Sequence, residues 1–164
     1  MANQNISSLE RLMSDWHRRV RESQFAHYEA VKPLVRTNTS MGVVAVVLST
    51  FVGTSLFATL EAQATSTYRI VIGFISVMAA VLSSLQTFLR YSERAEKHRA
   101  AAAKFGSLRR EIEFLQATGA PYDMARIETL RERMDSISSD APEISERVWK
   151  KTEYILKARS KEKE

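Results

Sequence analysis

TNTSMGVVAVVLSTFVGTSLFATL, Thr37–Leu60, and IVIGFISVMAAVLSSLQTFL, Ile70–Leu89, decide the fold of this 164-residue chain. Neither stretch holds a charged residue. The first lies between Arg36 and Glu61, the second between Arg69 and Arg90, and nine residues separate them. An α-helix rises 1.5 Å per residue, so about 20 apolar residues cover the roughly 30 Å hydrocarbon core of a bilayer. Both stretches reach that length. The simplest reading is a transmembrane hairpin, spans 37–60 and 70–89, joined by an external loop 61–69.

The competing reading is a soluble protein with two all-apolar core helices. Buried helices of soluble domains are usually shorter than this, and two side by side would need a large protein shell. The mildly negative mean hydropathy averages a greasy third of the chain with two polar flanks. Residues 1–36 contain no early apolar core or small-residue cleavage site, so they do not read as a signal peptide. The first span is therefore expected to stay as an anchor.

Basic residues orient the hairpin. Six Lys/Arg precede the first span, seventeen follow the second, and the loop holds only Arg69. Basic residues favour the cytoplasmic side, which predicts a multi-pass protein with both termini in the cytoplasm. Tyr68 and Tyr91 fall where aromatic belt residues belong. The net charge of +5 does not point to nucleic acid, because acidic residues are interspersed throughout and juxtamembrane basic residues face anionic lipid.

The flanks read as helices. From about Ile6 to Lys32, Leu9, Leu12, Met13, Trp16 and Val20 recur at three- and four-residue steps, with Ser7 and Glu10 placed for a capping box. Pro33 should end or kink this helix, or open the next. Beyond Leu89 no breaker occurs before Gly119, so the second span is expected to continue straight to about Ala117. Along it His98, Ala101, Phe105, Leu108, Ile112 and Leu115 alternate three- and four-residue steps, a coiled-coil-like seam for a bundle or an oligomer. Gly119 and Pro121 give a stop. Two shorter helices follow, about Tyr122–Ser138 and one capped by Asp140 with Pro142 and Glu143 in its first turn. The expectation is an all-α membrane protein, with an amphipathic N-terminal helix (1–36), the hairpin (37–89) and a helical extension and bundle (90–164). All belong to one structural unit.

Chemistry-bearing clusters are lacking. Cysteine is absent, and His17, His27 and His98 make no paired helical ligand motif, so neither a metal site nor a cofactor is expected. His98 reads as a hydrogen-bonded interface histidine rather than a ligand. No phosphate loop, nucleophile elbow or acid–base pair stands out, so no enzyme is expected. Arg109 and Arg110 are candidates for an anionic ligand or lipid head groups, against the simpler reading of a solvated face.

The spans carry a different signal. Gly73, Ser76, Ala80, Ser83 and Thr87 form one small, weakly polar stripe, and Gly42, Val46, Ser49 and Gly53 a narrower one. Small faces let transmembrane helices approach closely, so helix packing is the bland reading for these residues, Ser49 and Gly53 included. The sharper reading is that several hairpins assemble and the stripe lines a wettable, uncharged pore. Two helices cannot enclose a water path, so a conducting form must be a homo-oligomer.

The run SSLQTFLRYSERAEKHRAAAAKFGSLRREIEFL, Ser83–Leu115, resembles the SLATT family, bacterial two-transmembrane domains named for association with SMODS nucleotide synthetases and SLOG sensors. Its central part, ERAEKHRAAAAKFGSLRREIE, is the most similar. The plan of amphipathic helix, tight hairpin and long exit helix also matches over about residues 5–160. The resemblance implies a pore-forming or membrane-disrupting effector of antiphage or conflict systems at the bacterial inner membrane. Glu93, Ala95, Glu96, His98, Arg99, Leu108, Arg109, Arg110 and Glu113 would be its signature residues, with packing rather than catalytic roles. Within these residues no sensor or synthetase domain is attached. Activation is then expected from such a partner in trans, from a nucleotide held by the bundle, or from another cue. The alternative function is a non-conducting membrane scaffold that recruits a cytoplasmic partner.

Overall fold

The computed structural model describes residues 2–61, 65–118 and 123–161. It contains α1 (Ala2–Glu61), α2 (Ser66–Leu89), α3 (Tyr91–Thr118), α4 (Met124–Asp140) and α5 (Glu146–Lys161), and no strand among the described residues. The chain forms two compact units, one of residues 1–32 with 95–164, the other of residues 33–94.

The first unit owes its existence to the apolar stripes on three helices. Met13, Trp16 and Val20 of α1 pack with Phe105, Leu108, Ile112 and Leu115 of α3 and with Ile127, Leu130 and Ile137 of α4. Met13, Leu108, Ile112, Leu130 and Val20 are fully enclosed. Residues three and four apart share a helix face, so each stripe delivers its side chains to one core. From α5, Thr152 is buried, and Lys151 Nζ lies 3.0 Å from Glu29 Oε2 of α1. Arg159 sits 5.6 Å from the ring centroid of Phe25.

The second unit is the hairpin. Its inner seam reads Asn38, Met41, Ala45, Leu48, Val52 and Ser55 on α1, against Ile72, Ile75, Ala79, Leu82, Gln86 and Leu89 on α2. All twelve are buried or half-buried, and three- and four-residue steps separate them. A Cβ built on Gly42 would come within 3.2 Å of Gln86 Nε2, which fixes where the two helices approach.

Four local expectations change. The helix after the second span is not straight. Arg90 takes the left-handed conformation, φ 46° and ψ 40°, and ends α2 before α3 begins. Pro33 neither ends α1 nor opens a new helix but lies inside it, where its missing N–H leaves one i→i−4 bond unmade. Asp140 is the last residue of α4 rather than a cap for α5. Ala141 precedes a proline, which disfavours helical backbone, and Ser145 instead accepts the first bonds of α5 from Val148 and Trp149. The true cap of α4 is Asp123, whose carboxylate accepts from Ala125 N at 3.2 Å. α2 already starts at Ser66, inside the stretch read as the external loop 61–69. The Gly119 and Pro121 stop and the Ser7 capping side chain lie outside what is described.

Candidate functional site

The hairpin is the part of this protein suited to an apolar environment. Two helical stretches are long and apolar enough to cross a membrane, and only 11% of each apolar window is buried within the chain. Core helices of a soluble protein would be mostly enclosed. Here Phe74 is 71% exposed and Phe88 82%. The cost of leaving such side chains in water, about 2 kcal/mol each, sets the need for lipid or a partner.

Three threonine hydroxyls of the spans are satisfied by their own helix, as a hydrocarbon environment demands. Thr50 Oγ1 donates to Val46 O at 2.9 Å and Thr54 Oγ1 to Thr50 O at 3.0 Å. Thr87 Oγ1 donates to Ser83 O at 3.1 Å. Gln86 Nε2 donates to the Asn38 carbonyl and side-chain oxygens, both at 3.4 Å. This ties the two spans together by a polar contact on their packed face.

The small stripe points elsewhere. Gly73, Ser76, Ala80, Ser83 and Thr87 are all exposed, as is Ser49, while Gly53 is half-buried. The stripe on α2 therefore lies beside the face packed against α1 rather than in it. A shallow groove of about 530 Å³, lined by Val77, Ala80, Val81, Ser84, Leu85 and Phe88, borders the stripe at Ala80.

Sequence reasoning placed His98, Ala101, Phe105, Leu108, Ile112 and Leu115 on one seam, and all six are buried in the first unit. It missed the partner of His98. The Nδ1 atoms of His27 and His98 stand 2.9 Å apart, and His27 stacks on Phe105 with ring centroids 5.6 Å apart. Burial, reinforced by the neighbouring His98, lowers the His27 pKa from 6.5 to about 4. The signal was available: His27 lies seven residues beyond Val20 and fourteen beyond Met13, on the face that fills the core.

The basic candidates separate. Arg109 is half-buried, and its Nε lies 3.2 Å from Glu113 Oε1, which His17 Nε2 also reaches at 3.0 Å. Arg110 is exposed. Glu29 is a further buried charge. Burial raises its pKa, but hydrogen bonds from Lys32 and Lys151 outweigh this and leave it lowered. Among the described residues no group of three or more His, Cys, Asp or Glu could hold a metal ion.

Residues 9–163 match the family model described as SMODS and SLOG-associating 2TM effector domain family 4. The chain belongs to that family. The match spans both units, so this SLATT domain includes the helical core as well as the hairpin. Its family is one of two-transmembrane effectors, and the two apolar, uncovered helices fit that description. No curated protein and no solved structure matches the chain.

Proposed function

We propose that this SLATT domain is an oligomeric effector that permeabilises the bacterial inner membrane when a partner or nucleotide signal releases it. The observation that carries the reading is the outward position of Gly73, Ser76, Ala80, Ser83 and Thr87. Small residues favour close approach of transmembrane helices. This face is free for a second copy or for a water-filled lumen, because it lies about 100° around α2 from the face packed on α1. The first unit, with both termini in the cytoplasm, would hold the assembly and receive the signal from a synthetase or sensor in trans. A trigger acts by binding the open state better than the closed one.

The test is dye release from liposomes holding the purified full chain. Ser76→Leu and Ser83→Leu should abolish release while leaving cross-linked oligomers intact. Release unaffected by both changes removes the stripe from the pathway. A chain that assembles and recruits a protein but never leaks in the presence of its partner is a scaffold.

A further inference from the structure

The buried positions of the helices do not share one phase. In α1 a seven-residue series runs unbroken through Met13, Val20, His27, Leu34, Met41, Leu48 and Ser55, each buried or half-buried. In α2 the matching series is Ile72, Ala79 and Gln86, whose next member would be Glu93, an exposed residue. The core series of α3 begins instead at Ala95 and continues through Ala102 and Arg109, beside His98, Phe105 and Ile112. The step from Gln86 to Ala95 exceeds a heptad by two residues. At 3.5 residues per turn, two residues rotate a helix face by about 200°.

The interruption at Arg90 is what permits this skip. Arg90 is the one non-glycine at positive φ among the described residues, a conformation that L-residues avoid. Its guanidinium reaches Glu93 Oε2 at 3.2 Å, an i,i+3 pair that an unbroken helix would equally allow. Phe88, Leu89, Tyr91 and Ser92 around it include neither Gly nor Pro, and an Ala-, Glu- and Lys-rich run follows. Backbone preference therefore favours one continuous helix, and tertiary packing is what opposes it at the break.

Continuing the phase of α3 backwards reaches Ile70, Val77 and Ser84, flanked by Phe74, Val81 and Phe88. All six are exposed in the hairpin. They read as a second apolar seam on α2, opposite the one in use.

We propose that Arg90 is a two-state joint. In one state it is left-handed and α2 packs on α1 through Ala79 and Gln86. In the other it is right-handed, α2 and α3 form one helix, and α2 turns its Val77 and Ser84 face to α1. The turn exchanges which face of the span meets lipid or neighbouring copies. The device requires the hairpin to sit in lipid but makes no use of permeability.

The chain has no native cysteine, so paired cysteines report each register in membranes holding the full chain. Gly42→Cys with Gln86→Cys captures the first state. Gly42→Cys with Ser84→Cys captures the second. Arg90→Gly tolerates the left-handed backbone and Arg90→Ala favours the helix. The 42–84 yield should be about tenfold higher with Arg90→Ala than with Arg90→Gly, the free-energy cost of a left-handed L-residue expressed as a ratio. Arg90→Lys should behave as the parent chain. A 42–84 yield at background in every variant overturns the joint. So does a 42–84 yield indifferent to residue 90. Failure of the 42–86 pair overturns the hairpin register, and the joint with it. Liposome leakage enters none of these outcomes.

Discussion

His27 and His98, 71 positions apart in sequence, face each other through their Nδ1 atoms at 2.9 Å inside the helical core. One ring must donate and the other accept, so the two hold opposite tautomers. A proton on both Nδ1 atoms would set two donors against each other.

Acid should therefore loosen this core. The folded pKa of His27 lies near 4, below the ordinary 6.5. The unfolded chain binds the extra proton first as pH falls, so stability is constant above neutrality and declines from about pH 6.5 towards 4. The total loss is about 3 kcal/mol. Thermal unfolding in detergent as a function of pH should show this limb, and a His27→Leu/His98→Leu double variant should flatten it.

Glu29 should respond unequally to losing its own charge and losing its partners. Its carboxylate is buried, while Lys32 and Lys151 are exposed. Glu29→Gln returns two lysines to water and should cost about 1 kcal/mol. Removing both lysines strands a buried charge and should cost about 3 kcal/mol. Equal losses in denaturant titrations would show that Glu29 is hydrated. Because its folded pKa is lowered, its contribution is present at neutral pH and disappears as acid protonates it, adding to the His27 limb.

Gly106 tests two opposed effects. A Cβ there would come within 2.6 Å of Gln24 Nε2, the far end of a flexible side chain. Alanine gains about 1 kcal/mol of helix preference over glycine, against the displacement of Gln24. Gly106→Ala alone should be close to neutral in melting temperature. In a Gln24→Ala background it should stabilise by about 1 kcal/mol.

The Gln86 contact with Asn38 lies in the apolar part of the hairpin, where a hydrogen bond between spans contributes about 1 kcal/mol. Gln86→Leu should lower the detergent midpoint of unfolding modestly. It should also lower the yield of a cysteine cross-link between Met41 and Leu82. An unchanged yield would mean that the seam packs without this contact.

Much of this molecule was legible because helical periodicity is local. The charge-free stretches gave the hairpin, and the three-and-four spacing from His98 to Leu115 gave the face of α3 that is buried. Asp123, Asp140 and Pro33 were harder. A cap or a break is worth about 1–3 kcal/mol, which packing over a long helix can override. The inward and outward faces of α2 were not legible either. Both carry apolar residues at helical spacing, so composition does not say which meets α1.

The sequence by itself determined that the chain is helical, that two segments are long and apolar enough for a bilayer, and which residues of each amphipathic helix share a face. These follow from steps of one to four residues, where backbone geometry alone sets neighbours. Tertiary structure decided that His27 meets His98, that Gln86 rather than Ser84 turns to α1, and that the helix stops at Arg90. Each depends on how a distant helix is placed, and a left-handed arginine survives only when the packing on both sides outweighs its local cost.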